Sequence, residues 1–293
     1  IHESDEALRA AIQAALCRGA VPKLKLDADV ERGVATVRTA VLICREMRGK
    51  FTVDFNASLS REQWMQFANE TARWNPSDVW SLCEQPTLVE DGVAGLVEAA
   101  AYAKDKLHVP LAADESLDSL KDVRICGKSG IVMNLKIQKL GGIVRAGQFE
   151  DAYLAASAGF SGSFVGGTFP TAIARAYDQH AACVLATASL PSDGWEPSTN
   201  WFARDQHLIR ELFQTDASGR SLAFRGHGLG ITPDWRRIER FVVPDAEAEY
   251  RLIRSQGEGQ SLRFMSDGTT SYGELYRQRT GRDPFWNLEK VLS

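Results

Sequence analysis

Along most of the chain, short apolar runs alternate with longer stretches whose apolar residues recur every three or four positions, the signatures of strand and helix. Leu8, Ala11, Ile12, Ala15 and Leu16 predict a helix over 4–18, with Asp5 and Glu6 in its first turn and Gly19 at its end. A strand over 22–26 follows, then a helix over 30–47 and a strand over 51–56. Helices over 61–73, 93–106, 117–126, 144–158 and 172–187 interleave with strands over 79–83, 110–113, 131–136 and 163–165. This repetition predicts parallel α/β architecture.

The polar residues that break the pattern are themselves patterned. Lys25, Asp54, Glu84, Asp114 and Lys136 fall at or near the C-terminal ends of successive strands, spaced by 29, 30, 30 and 22 residues. A TIM-type (β/α) barrel gathers those ends at one mouth, where such folds carry their chemistry. An open doubly wound sheet would string them along an edge. The barrel is the expected fold.

Within the first of these strands Lys23 and Lys25 lie two residues apart and so face the same way. Alone, the pair reads as a solvated edge; two neighbouring ammonium groups also disfavour each other's charge, which is one way to make a lysine a base. Asp54, Glu84 and Asp114 are three carboxylates that would repel one another at one mouth unless a cation neutralised them, and oxygen donors select a hard ion such as Mg²⁺, with Mn²⁺ an alternative. Lys25 and Lys136 flank that trio. A cation to absorb charge and a lysine on each face suit removal of a proton next to a carboxylate.

At this point the chain resembles the enolase superfamily, and within it the muconate-lactonizing-enzyme-like subgroup. The resemblance rests on Lys23-Leu24-Lys25, Asp54-Phe55-Asn56, Glu84-Gln85-Pro86, Ala113-Asp114-Glu115-Ser116, the run from Asn134 through Lys136 and Lys139 to Gly142, and Gly166-Gly167-Thr168. It covers about residues 4–242 and implies metal ligation by Asp54, Glu84 and Asp114. It also implies acid/base roles for Lys25 and Lys136, with Lys23 assisting Lys25 or holding the substrate carboxylate. Lys139 rivals Lys136, which is preferred for its place at the strand end. Asn56 and Asp193 are candidate substrate contacts, with Glu196 the alternate to Asp193. His180, in a helix, and His207 read as structural or surface residues. Gly226-His227-Gly228-Leu229-Gly230 resembles the family's closing glycine-rich turn and lacks the βαβ setting of a dinucleotide loop.

Composition narrows the partners. A net charge of −4 over 293 residues gives no basic footprint for nucleic acid or an anionic membrane; the lysine and carboxylate chemistry makes a small carboxylate the expected partner. Five scattered cysteines without C-x-x-C spacing fit free thiols in a reducing, cytoplasmic compartment. The barrel domain is expected over 1–242, with an extension of unassigned role over 243–293 and assembly as a homo-oligomer. The resemblance further implies a capping domain and a first barrel strand ahead of the opening helix, and neither is found in this chain.

Two lysines favour racemisation or epimerisation of an amino-acid derivative through an enediolate. Cycloisomerisation, or dehydration of a hydroxy acid, uses the same groups. An inactive binding remnant is the reading from another class.

Overall fold

The computed structural model describes residues 5–157, 162–167, 171–193 and 208–239, together with the backbone of two strands at 249–253 and 261–265. Helix α1 (Asp5–Cys17) leads into β1 (Lys23–Lys25), α2 (Val30–Glu46), β2 (Phe51–Asp54) and α3 (Arg61–Ala72). Then come β3 (Trp80–Glu84), α4 (Gly92–Lys106), β4 (Leu111–Ala113), α5 (Leu120–Ser129) and β5 (Val132–Asn134). A single turn, α6 (Ile137–Leu140), precedes α7 (Ile143–Ala156), β6 (Ser163–Phe164) and α8 (Ala172–Val184).

The local chemistry explains the helix starts. Ser60 and Ser119 each close a capping box, with Gln63 and Asp122 respectively, and Asp29 and Thr171 cap the amides of Arg32 and Ala174. Asp122 is also why α5 begins at Leu120 and not at 117, as the apolar pattern alone predicts. At the other end of that helix Gly130, at φ 67°, accepts the left-handed turn into β5.

The six strands form one parallel sheet in sequential order, β1-β2-β3-β4-β5-β6. A doubly wound sheet reverses its order partway; this one does not. It also curls. Across a flat sheet β1 and β6 would lie roughly 24 Å apart, at about 4.8 Å per strand. Instead the Lys23 ammonium on β1 sits 5.1 Å from the Phe164 ring centre on β6. The architecture is therefore a partial TIM-type barrel, as expected from the strand-end pattern, with no pairing between β6 and β1 among the described residues.

Two cores follow from that curl. Between sheet and helices, Phe51, Phe55, Trp64, Phe67 and Trp80 pack edge-to-face and stacked, tying α3 to β2 and β3. Inside the curl, Leu82, Ala112, Val132 and Phe164 form a smaller cluster, one residue from each of four consecutive strands. The expected helix over 172–187 ends at Val184, because Thr187 is drawn away: its amide and hydroxyl both donate to Glu150, at 2.7 and 2.8 Å. The chain beyond then runs parallel to β6, with a bridge from Ser163 to Ala188 and the Asp193 amide donating to the Val165 carbonyl.

Farther on, β7 (Gln214–Thr215) and β8 (Ser221–Leu222) make a small hairpin, and α9 (Trp235–Ile238) follows the glycine-rich turn. Strands β9 (Glu249–Ile253) and β10 (Ser261–Met265) pair antiparallel. The expected domain boundary at 242/243 lies outside the described residues, as do Thr168, Glu196 and His207. All five cysteines are free, as expected, and no helix among the described residues is long and apolar enough to cross a membrane.

Candidate active site

Strand register builds the site. Lys25 aligns with Asp54, and Asp54 with Glu84, so three adjacent strands present one row of charged ends. After β2 the backbone turns through left-handed residues, Asn56 at φ 46° and Ala57 at φ 57°, and Asp54 Oδ1 holds the turn by accepting the Asn56 amide at 2.8 Å. Gln85 does similar work one strand along. Its side-chain oxygen accepts the amides of Asp114 and Ser116 at 3.1 and 3.2 Å, fixing the loop that carries Asp114 and Glu115.

Each carboxylate of the expected trio is buried, and each is engaged by a lysine. Lys25 pairs with Asp54 and reaches Asn56 Oδ1 at 3.2 Å. Lys23 donates to Glu84 at 2.8 Å and to Asp193 at 2.5 Å. Lys136 pairs with Asp114, while Lys139 binds the Asp114 carbonyl at 2.7 Å and Asp118 at 3.2 Å. Lys136, which the sequence puts at a strand end, instead stands two residues beyond β5 as the N-cap of α6, and Lys139 lies on that same helical turn. Both lysines therefore reach the mouth, by Asp114. Asp193 sits beside Lys23, its other oxygen accepting the Gly167 amide at 3.0 Å. His180 is placed outside it, in α8 against the Leu229 carbonyl at 3.1 Å.

For Lys23 the expected suppression by its neighbouring ammonium is corrected by its carboxylate partners. Burial alone would lower the Lys23 ammonium, but Glu84 and Asp193 hold it above its ordinary range. Burial acts likewise on Lys136, and Asp114 with Glu115 reverse it. Each lysine meets its own carboxylate before it meets another lysine.

The acids divide. Burial, then the charge of Asp54, pushes Glu84 up to about 8 against the pull of Lys23. Burial and the charges of Asp114 and Asp54 push Glu115 to about 7. Burial would raise Asp114 and Asp193 too, but Lys136 and Lys139 keep the first below its ordinary value and Lys23 the second. The pocket thus holds more carboxylate than its lysines neutralise.

Glu115 and Asn134 escape the sequence reading. Glu115 Oε1 accepts from the Asn56 side-chain Nδ2 at 3.2 Å, and its Oε2 is buried without a hydrogen-bond partner. Asn134 donates to Glu84 at 2.5 Å while its Oδ1 is equally orphaned. Both were legible only as neighbours of motif residues.

Among the described residues no three Asp, Glu, His or Cys side chains stand close enough together to hold a metal ion. The donor set nonetheless fits a hard cation: all oxygen, buried, in excess of its lysines, and with two orphaned oxygens beside it. Asp54, Glu84 and Asp114 are the carboxylates expected to hold such an ion, and each is paired with a lysine in this structure.

A curled parallel β/α sheet with lysines and carboxylates gathered at its C-terminal mouth defines a partial (β/α) barrel, the fold to which the comparisons also lead. The family model described as "Enolase C-terminal domain-like" matches residues 6–237, and the chain belongs to that family. Muconate lactonizing enzyme from Pseudomonas putida is 23% identical with a TM-score of 0.65, covering 81% of this chain and 62% of its own. Muconate cycloisomerase from Pseudomonas fluorescens is 21% identical with a TM-score of 0.66, at 81% and 62% coverage. The enzyme from Klebsiella pneumoniae is 19% identical with a TM-score of 0.64, at 82% and 63%. The chain spans a little over three-fifths of the length of these structures. No curated protein matches it.

Proposed function

We propose that this chain carries the catalytic barrel of an enolase-type isomerase that cycloisomerises a small unsaturated carboxylate, using Mg²⁺ or Mn²⁺. One observation supports the chemistry above others: Lys25 and Lys136 stand on either side of Glu84, each paired with a strand-end carboxylate, Asp54 and Asp114. The cation, when bound, supplies positive charge for the carboxylate oxygens of the substrate as electron density moves onto them. Releasing Asp54 and Asp114 to that role frees the two lysines to hold or deliver a proton at the substrate's α-carbon. Lys23 stays charged between Glu84 and Asp193 and is suited to bind the substrate carboxylate.

Cycloisomerisation takes precedence over the racemase reading because the similar structures are muconate lactonizing enzymes, one of them in complex with muconolactone. In lactone formation one carboxylate oxygen adds to the double bond conjugated with the other carboxylate, and an ammonium protonates the α-carbon. Racemisation of an amino-acid derivative remains the second reading, favoured by a lysine on each side. Dehydration is the third.

The test is incubation with cis,cis-muconate and Mg²⁺ in D₂O, followed by ultraviolet absorbance and proton NMR. Loss of the diene with one deuterium in the lactone is the expected result. An intact diene, alongside α-deuterium exchange in an N-acylamino acid, would replace it with the racemase reading. An inactive binding remnant would show neither, with or without metal.

A further inference from the structure

Behind Asp193 lies a buried polar layer that neither the candidate ligands nor the lysines use. Arg175, on the second turn of α8, is 9% exposed at its side chain and points its Nη1 to the Asp193 carbonyl at 2.9 Å. The same nitrogen lies 3.5 Å from Asp178 Oδ2. Asp178, 2% exposed, accepts from Gln138 on α6 at 2.6 Å. One continuous line therefore runs from α6, which follows Lys136, through α8 to the backbone of Asp193. From there the Asp193 carboxylate continues it to Gly167 and Lys23.

A buried arginine and aspartate are costly to desolvate, and neither joins the apolar core. Their geometry instead serves the segment at Asp193, which reaches the mouth outside any named strand. Asp193 is attached to β6 through its own amide, the Val165 carbonyl and the neighbouring Ser192 hydroxyl, which accepts the Val165 amide at 3.0 Å. Those bonds hold the amide side of Asp193 against the end of β6, and the Arg175 guanidinium holds its carbonyl side.

We infer that Arg175 is a positioning residue: it orients the backbone at Asp193 so that the carboxylate meets Lys23 and Gly167, with Asp178 and Gln138 tying that orientation to the helical turn that carries Lys139 and begins at Lys136. The catalytic consequence rests on the proposed function, but the orientation itself does not. The chemistry follows directly. Asp193 held against Lys23 keeps that ammonium from turning to another carboxylate, and so keeps its charge where a substrate carboxylate would bind.

The amide of Gly167 reports this orientation without any substrate. In the full chain labelled with ¹⁵N-glycine, its resonance is assigned by its loss in Gly167→Ala. Asp193→Asn gives the position it takes when the charge-assisted bond is weakened. Arg175→Met is expected to move the resonance most of the way to that position, Arg175→Lys less, and Arg175→Met with Asp193→Asn no farther than Asp193→Asn alone. Asp178→Asn, which keeps the shape of the pair, is the second variant in case Arg175→Met does not fold, and is expected to move the resonance in the same direction. A resonance left at the wild-type position in folded Arg175→Met or in Asp178→Asn overturns the inference, as does an additive shift in the double variant. Failure of the wild-type chain to turn over muconate rejects the proposed function alone and leaves these shifts to decide the positioning role.

Discussion

Lys23 on β1 and Asp193, on the segment beyond β6, meet at 2.5 Å across the mouth of the curled sheet. The same ammonium is 2.8 Å from Glu84 on β3. Replacing it by Lys23→Met leaves the buried Glu84 and the half-buried Asp193 without their cation, and breaking a buried pair from one side costs up to about 3 kcal/mol. Protonation of Glu84 offsets part of that loss. Chemical denaturation of Lys23→Met, Asp193→Asn and the double variant should give a coupling of at least about 1 kcal/mol, and additive losses would show that the contact contributes nothing.

Lys25 and Lys136 are separable by exchange. Proton transfer by a positioned side chain contributes on the order of 10²–10⁴ in rate, so Lys25→Met and Lys136→Met should each lose at least a hundredfold if both faces are used. A single-face reaction loses this only in one of them. Lys139→Met, which removes a bond to the Asp114 carbonyl, should lose about tenfold or less, since that contact fixes a loop and not the substrate. Deuterium incorporation into muconolactone in D₂O, followed by NMR, measures all three.

Metal binding should stabilise the fold by mass action. At a Mg²⁺ concentration a hundred times its dissociation constant the gain is about 2.7 kcal/mol, readable as a rise in Tm. Asp54→Asn, Glu84→Gln and Asp114→Asn should each abolish the rise. A variant that keeps it is not a ligand.

Gly166 is confined by the Asn134 amide. A Cβ built there would lie 2.7 Å from the amide carbon of Asn134. Gly166→Ala should therefore cost about 1–3 kcal/mol as overpacking and push Asn134 off Glu84. Combining it with Asn134→Ala should recover most of the loss in Tm. No recovery would mean that the strain lies in the backbone.

Asp178 gives the protein a pH dependence of definite sign. Burial raises its carboxyl to about 6, against an ordinary value of 3.8. A raised folded-state value means that the contribution is complete below about 3.8 and is lost as pH rises through about 6. Asp178→Asn should remove that component, so that Tm falls less, or rises more, from pH 4 to 6.5 than in the wild type. An unchanged difference would assign the slope to other groups.

The barrel was legible because helix and strand patterns and the spacing of strand-end charges agree with one another, and each depends only on local periodicity. The helix over 117–126 was misplaced by three residues because Ser119 and Asp122 close a capping box that apolar spacing does not register. Lys136 was read at a strand end, although β5 stops at Asn134 and α6 begins immediately after it. The spacing of strand ends brings Asp54, Glu84 and Asp114 forward as candidates from sequence alone; Glu115 and Asn134 do not stand out there, because burial and an unpartnered oxygen are facts of packing.

The sequence by itself determined the parallel β/α order, the candidate ligands and lysines, and the family, since all are written in periodicity and motif. Only the tertiary structure decided how their charges resolve. Lys23 and Lys25 are two residues apart in the chain, and their spacing implies repulsion. The curl of the sheet brings Asp193 from the far edge to Lys23 and register brings Asp54 to Lys25, so each ammonium is paired. Coulombic interactions depend on distance in space, and that distance is set by the curl and register of strands far apart in sequence.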